Sequence, residues 1–364
     1  MGGLKFFMRM SDQRLEKMMR RKDLDAILFW GSENIRYLCG FTGSDGVLIY
    51  AREGRFFLTD SRYTEQAKSE VGNAVVSQYR QKISGISRAL KFLRVRRIGF
   101  ESAAINFESY RKLQEKLTRV LMVHLSGELA GLRAVKEAEE VARIKKAVQI
   151  ASDSFLKTAS RMIPGCSELA IAESLEYQFR RRGGERPSFD TIVASGSRAA
   201  LPHGAASEKR LAKGETVVVD FGTRFQGYHS DETKTLILGK PDAKTKRIYE
   251  IVRRAQAKAI QTVRPGVTGR EIDAAARGLI QKAGYGKFFG HGTGHGVGLA
   301  VHEDPVISPR GKAVVEEGMV FTVEPGIYLP GWGGVRLEDM VRVTSNGCER
   351  LTSLSKAIKD NIVI

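Results

Sequence analysis

The sequence predicts an α/β domain over residues 1–126, followed over residues 127–364 by an α+β domain built as a pseudo-two-fold repeat. Three observations carry that prediction. Short apolar runs bounded by turn residues alternate with helical spacing in the first part. A break near Ser126–Gly131 precedes one long amphipathic stretch, Lys136 to Met162, ended by Pro164-Gly165. Beyond it, helix pairs are each followed by a hairpin, and the pattern occurs twice.

The strands of the first domain are expected at Leu24–Trp30, Gly46–Tyr50, Arg55–Leu58, Ala74–Gln78 and Arg97–Glu101, with helices at Ser84–Leu93 and Phe107–Leu117. The repeat in the second domain announces itself at its helix starts. Ile163-Pro164-Gly165-Cys166-Ser167-Glu168 opens one helix, and Arg264-Pro265-Gly266-Val267-Thr268-Gly269-Arg270-Glu271 opens another 101 residues later. In both, a Ser or Thr follows the Pro-Gly break where an N-cap belongs. Two stacked copies of helix, helix and hairpin enclose a cleft between halves.

Composition excludes several classes. At 42% hydrophobic and 27% charged residues the chain is an ordinary globular protein. No apolar run approaches the roughly 20 residues needed to cross a bilayer. Residues 1–10 carry neither a secretory leader nor a myristoylation signal, so the expected compartment is the cytoplasm. Cys39, Cys166 and Cys348 are an odd, widely spaced set and are expected as reduced, buried thiols. The net charge of +18 is spread, with +10 over residues 1–126 and +8 over the remainder. No aromatic residues interleave with the basic clusters, so a solvated surface is expected and no specific nucleic-acid partner.

The chemistry lies in two hairpins. The first runs Thr216–Gly222, then Gly227–Leu238; with its turn at Phe225/Gln226, Asp220 faces Asp231. The second runs Val320–Glu324 into Gly331–Gly334 and returns as Val335–Glu338; centred on Gly331, it sets Glu324 opposite Glu338. Directly opposed side chains have Cβ atoms about 4.5–5.5 Å apart, and like charges there are destabilising. Something positive belongs between them. Three of the chain's six histidines, His291, His295 and His302, fall within twelve residues. Glycine at every second position from 290 to 298 argues against a helix there and for an extended segment in close backbone contact. Four carboxylates and one histidine suit two divalent ions sharing bridging carboxylates, with manganese or cobalt favoured over a structural zinc. Two such ions about 3.5–4 Å apart acidify a water and polarise a carbonyl, which makes hydrolysis the natural chemistry.

These motifs resemble the pita-bread metallopeptidases, which include Xaa-Pro aminopeptidases, prolidases and methionine aminopeptidases. The resemblance rests on Asp220-Phe221-Gly222, His229-Ser230-Asp231, His291-Gly-x-Gly-His295, Val301-His302-Glu303, Glu324-Pro325-Gly326 and Arg336-Leu337-Glu338-Asp339. It extends to Gly31–Leu38 and Gly40–Ser44, which are similar to the creatinase-like N-terminal domain of the proline-specific branch. The resemblance implies a pita-bread catalytic domain and a metal set of Asp220, Asp231, His295, Glu324 and Glu338. In that set Asp231 and Glu338 bridge, and Glu324 also shuttles the proton. It implies that His203, His291 and His302 contact the substrate around the scissile bond, and that Tyr328 and Arg336 support the metal ligands. It further implies two divalent ions per chain, manganese first with cobalt or zinc as alternatives, peptide substrates with proline second, and a homodimer.

Two departures stand out. Where x-Thr-Arg commonly follows the second aspartate, this chain has Glu232-Thr233-Lys234, and lysine lacks arginine's planar fork. After His302-Glu303-Asp304-Pro305, where several prolidases carry an arginine that clamps the dipeptide carboxylate, it has Val306. The expected activity is therefore Xaa-Pro aminopeptidase first and prolidase second. Methionine aminopeptidases usually lack the N-terminal domain, creatinase does not retain the five ligands, and non-catalytic relatives lose them.

Overall fold

The structure is a computed structural model describing residues 10–125 and 127–363. Residues 1–9, on which most of the reading of the first ten residues falls, Ser126 at the expected domain boundary, and Ile364 lie outside the described residues. The chain divides into two compact units, Met1–Arg133 and Ala134–Ile364, so Gly127–Arg133 belongs with the first rather than opening the second.

The first unit contains α1 (Met10–Lys22), β1 (Ala26–Phe29), α2 (Ser32–Cys39), β2 (Val47–Ala51), β3 (Gly54–Thr59), α3 (Thr64–Glu70) and β4 (Val75–Gln78). It continues with α4 (Lys82–Phe92), β5 (Arg97–Phe100), α5 (Phe107–Lys116), β6 (Leu121–His124) and the one-turn α6 (Gly127–Ala130). Its six strands form one mixed sheet in the order β4-β3-β2-β1-β5-β6. Central β1 and β2 are buried at every residue, so they read as continuous apolar runs, whereas edge strands β4 and β6 are largely exposed. The strand β6 and the helices α1 to α3 were not expected from the sequence; β6, α2 and α3 are short, at 4, 8 and 7 residues.

The second unit opens with α7 (Ala138–Ala159) and α8 (Glu168–Arg181), then β7 (Arg186–Pro187), β8 (Ile192–Ser195), β9 (Thr216–Phe221), β10 (Thr223–Phe225), β11 (Tyr228–His229) and β12 (Glu232–Leu238). Next come α9 (Ala243–Thr262), α10 (Gly269–Lys282), β13 (Gly294–Gly296), β14 (Glu303–Ile307), β15 (Val320–Val323), β16 (Gly326–Leu329), β17 (Gly333–Arg336), β18 (Asp339–Val343), β19 (Cys348–Arg350) and β20 (Ile362–Val363). The repeat is plain in this order. The strands β8-β9-β12 follow the helix pair α7 and α8, and β13-β15-β18 follow α9 and α10, each triplet antiparallel with its middle strand flanked by the other two.

Both helix starts behave as their sequences dictate. The Ser167 hydroxyl accepts from the Ala170 amide, and the Thr268 hydroxyl accepts from Glu271, whose carboxylate returns a bond to the Thr268 amide. Each preceding segment forms an isolated bridge to the loop before its hairpin, Ser167 to Arg210 and Thr268 to Val314. Each half also has its own apolar core. Phe155, Phe179 and Phe221 fill the first, where Phe155 and Phe221 stack with centroids 4.9 Å apart; Tyr249, Ile272 and Phe321 lie in the second. Such a stacked pair adds about 0.5–1.5 kcal/mol beyond its buried area.

One register expectation fails. The first hairpin turns at Gln226 and Gly227, which have φ of 47° and 83°, the primed geometry that suits a two-residue hairpin loop. Arg224 therefore pairs with His229, and Asp220 faces Thr233 rather than Asp231. A shift of two residues keeps the same face, so Asp220 and Asp231 remain diagonal neighbours on one side of the ladder. The second hairpin has the expected register: Val323 pairs with Asp339 and Gly326 with Arg336, which brackets Glu324 and Glu338.

Of the three cysteines, Cys39 is buried, while Cys166 and Cys348 are half-buried; all three are free. Among the described residues no helix is long and apolar enough to cross a membrane.

Because Thr268 and Glu271 cap reciprocally, Thr268→Ala should destabilise the second unit by about 1 kcal/mol. Glu271→Ala on that background should add clearly less than it does alone. Denaturant melts of the four proteins in the cycle measure this, and simple additivity would remove the reciprocal bond as the cause.

Candidate functional site

The ends of the two hairpins and the glycine-rich segment converge on a cavity of about 570 Å³, lined by Asp220, Asp231, His295, Glu324 and Glu338. His203, His291, His302, Arg336 and Val306 line it as well. Of the residues singled out from the sequence, Tyr328 alone stands behind this wall, with its hydroxyl 2.8 Å from His291 Nε2.

Asp220 leaves β9 with Oδ2 accepting from Arg336 Nη2 at 2.7 Å, while its buried Oδ1 has no hydrogen-bond partner among the described residues. Glu338 is divided in the same way: Oε2 accepts from the Thr233 hydroxyl at 2.7 Å and buried Oε1 has none among them. His295 reaches the cavity because its flanks come close to other backbone. A Cβ at Gly294 would lie 1.9 Å from the Thr322 carbonyl oxygen, and one at Gly296 would lie 2.1 Å from that of Asp304. His295 Nδ1 lies 3.1 Å from the Gly296 carbonyl, which assigns the proton to Nδ1. The Nε2 lone pair then faces Asp231 Oδ2 at 3.6 Å and Glu324 Oε1 at 3.4 Å. Ligand atoms of Asp231, His295 and Glu338 all lie within 4.8 Å of one another.

The electrostatics are severe. Burial, then Glu338, Asp220 and Glu324, push the Asp231 carboxyl well above its ordinary range. Burial, then Glu324 and Asp220, do the same to Glu338, and burial raises Glu324. Burial also lowers His291, His295 and His302, which favours the neutral imidazoles that serve as metal ligands and hydrogen-bond donors. Against four carboxylates stands the guanidinium of Arg336, which bonds Thr233 Oγ1, the Pro202 carbonyl, the Tyr328 hydroxyl and Asp220. Buried acids with orphaned oxygens and an imidazole lone pair aimed among them form a donor set for divalent cations. The residues present fit a metal centre.

Among the histidines that line the cavity, His291 is held at both ring nitrogens. Both of its ring nitrogens are engaged, Nδ1 with the Gly292 carbonyl at 2.7 Å and Nε2 with Tyr328, so substrate contact through either one displaces a protein partner. Lys234 does not reach the site: it donates to the Ser355 carbonyl at 2.8 Å and lies over the Phe155 ring. Two supports escaped the sequence reading. Thr233 joins Glu338 to Arg336. Asp273 and Arg277, paired on α10, hold the segment around His291: Asp273 accepts from the Thr293 amide and hydroxyl, and Arg277 donates to the Phe289 and His291 carbonyls. Their acid-before-base i, i+4 spacing was the available signal.

Residues 142–345 match the metallopeptidase family M24, and residues 13–135 match the creatinase/prolidase N-terminal domain. The chain belongs to metallopeptidase family M24. It is 37% identical over 348 residues to an Xaa-Pro dipeptidase of Pyrococcus horikoshii, covering 95% of this chain and 97% of that one. In structure it is similar to an Xaa-Pro dipeptidase of Bacillus anthracis, with a TM-score of 0.93, 40% identity and coverage of 97% of this chain and 99% of that one. It is also similar to an X-Pro aminopeptidase of Thermotoga maritima, with a TM-score of 0.89, 38% identity and coverage of 96% and 99%. The second unit is thus a pita-bread peptidase domain, and membership of this family implies divalent metal ions.

Raised folded-state pKa values at Asp231, Glu324 and Glu338 mean that the metal-free fold is stabilised when these groups are protonated. That contribution is complete below the unfolded carboxylate range near about 4 and is lost as pH rises through the raised folded values. Chelator-treated Asp231→Asn and Glu338→Gln should therefore melt above chelator-treated wild type at pH 8, with the gap closing as pH falls. A wild type that is the most stable of the three at pH 8 would show that the carboxylates do not repel.

Proposed function

We propose that the chain hydrolyses the peptide bond between an N-terminal residue and a following proline, acting on Xaa-Pro dipeptides. The reading is carried by the cavity in which four carboxylates and His295 meet beside His203, His291 and His302. Its volume of about 570 Å³ falls in the range of small-ligand sites. The sequence alone favoured the aminopeptidase. Relatives named as dipeptidases, at 37% and 40% identity over nearly the whole chain, favour the dipeptidase instead.

In this reading Asp220, Asp231, His295, Glu324 and Glu338 would hold two divalent ions, manganese in the first instance, with Asp231 and Glu338 as the ligands the two would share. When bound, such ions polarise the scissile carbonyl and acidify the attacking water. Glu324, raised by burial and 3.3 Å from the Thr322 hydroxyl, is the proton carrier: it takes a proton from the water and delivers it to the leaving proline nitrogen. His203 and His302 present ring nitrogens to the substrate. His291 joins them by exchanging its Tyr328 bond for a substrate bond. Arg336 holds Asp220 and Tyr328 in place throughout.

A second reading, aminopeptidase on longer Xaa-Pro peptides, draws on Val306. It lines the cavity, lies opposite His295 in β13 and is 46% exposed. An apolar residue there offers a free carboxylate no ion pair and leaves a longer chain unobstructed.

Manganese-saturated enzyme should bind two equivalents by elemental analysis and cleave Ala-Pro with higher kcat/KM than Ala-Pro-Pro. A ratio at or below one would make the aminopeptidase reading correct, and no cleavage of either would remove both. Asp231→Asn and Glu338→Gln should each lower kcat/KM by about 100-fold or more, since each withdraws a charge from the reacting centre.

A further inference from the structure

We infer that Lys356 is a positioning residue that sets the separation of Asp231 and Glu338 from behind the site, and so decides whether the centre holds two ions or one. The inference rests on the two-ion reading above. Each of these carboxylates is followed by a second buried acid, Glu232 after Asp231 and Asp339 after Glu338. Successive side chains on extended backbone point to opposite faces, so the first acid of each pair faces the cavity and the second faces away from it.

The two rearward acids belong to different halves of the repeat, Glu232 to β12 and Asp339 to β18, and they share one buried cation, with the exposed Arg350 a further neighbour of Asp339 at 3.4 Å. Lys356 Nζ lies 2.5 Å from Glu232 Oε1 and 3.5 Å from Asp339 Oδ1, with the three side chains 5%, 2% and 0% exposed. Nearby the seam also holds the Arg336–Asp220 ion pair and neutral contacts. The Glu338 amide donates to the Thr233 carbonyl, and Thr235 exchanges hydroxyl and amide bonds with Arg336. Lys356 is thus a charged tie across the seam, one residue removed on each side from the carboxylates expected to bridge.

The lysine is itself held. Its segment accepts Lys234 at the Ser355 carbonyl, and Asn361 donates to the carbonyls of Ser355 and Ala357. The following β20 runs parallel to β12, with Ile362 beside Ile237. The departure Glu232-Thr233-Lys234 finds its use here: Glu232 receives Lys356, and Lys234 anchors the segment that carries it. Ser152 and Thr352 complete the rearward bonding, the first to Glu232 and the second to Asp339.

Removing the cation leaves Glu232 and Asp339 facing across the seam with no buried cation between them, Arg350 remaining beside Asp339, which drives β12 and β18 apart and loosens the spacing of Asp231 and Glu338. The test is calorimetric titration of chelator-treated protein with manganese chloride, with the exchange-coupled two-manganese signal in electron paramagnetic resonance as the report on spacing. Wild type should take two ions. Lys356→Met should bind the weaker ion about 10–100-fold less tightly, as outer partners of metal ligands do, and lose the coupled signal. Lys356→Arg, which keeps the charge, should restore most of both. Lys356→Met that is folded and binds both ions as wild type does, even with a lower melting temperature, overturns the proposal and leaves the two-ion reading intact. If Lys356→Met fails to fold, Glu232→Gln cuts one arm of the tie without stranding an acid; weaker second-ion binding supports the proposal and unchanged binding overturns it. Wild type that takes up a single ion defeats the two-ion reading, and this proposal with it.

Discussion

Mutual repulsion among four carboxylates, Asp220, Asp231, Glu324 and Glu338, is the constraint on which the rest of the catalytic unit depends. All four line one cavity, and the buried guanidinium of Arg336 bonds one of them directly. Burying like charges together raises their pKa values or draws in cations, and a chain that keeps them there must resist their separation mechanically. That resistance is supplied by backbone geometry. Asp220 and Asp231 sit on adjoining arms of one hairpin, and Glu324 and Glu338 on the other, each arm committed to a ladder that extends into an apolar core.

The repeat makes this economical in chain length. A helix capped by Ser167 or Thr268, a three-stranded antiparallel unit and a core of its own recur in each half. Each half thereby delivers two acids to its inner edge. What the repeat cannot supply is the joint between halves, since that surface belongs to neither copy. Thr233, Thr235, Arg336 and Lys356 make the joint, and none of them follows from the internal symmetry.

That division explains what could be read from the sequence. The helix starts at Ser167 and Thr268, the second hairpin and the carboxylate set depend on local signals: a cap, a turn centred on Gly331, acids in apolar strands. The two glycines flanking His295 were legible for the same reason, because Gly294 and Gly296 lie too close to other backbone for any Cβ. The first hairpin was displaced by two residues because Gln226, a residue seldom found at positive φ, shares its turn with Gly227. The parity of the strand protected the functional conclusion from that error. The engagement of His291 with Tyr328 and the convergence of Lys356 on Glu232 and Asp339 were not legible. They join residues distant in sequence through side chains, where no periodicity operates.

Charge also bears on how a dipeptide could be held without an arginine at position 306. In the metal-free centre burial and mutual repulsion push Asp231, Glu324 and Glu338 toward the protonated form, and those that ionise repel a substrate carboxylate. On the proposed occupancy two dications would ionise the four carboxylates and, with Arg336, would leave one net positive charge before any hydroxide is counted, in a cavity whose walls screen it less than water does. On that reading the carboxylate of an Xaa-Pro dipeptide would meet an attractive field, with His203 and His302 beside it in the cavity. Val306 opposite His295 removes one specific ion pair but leaves that field in place. The choice between dipeptides and longer chains thus depends less on a single clamp than on how far the field of the loaded centre reaches past the proline ring, and a carboxylate moved one residue further away feels it more weakly.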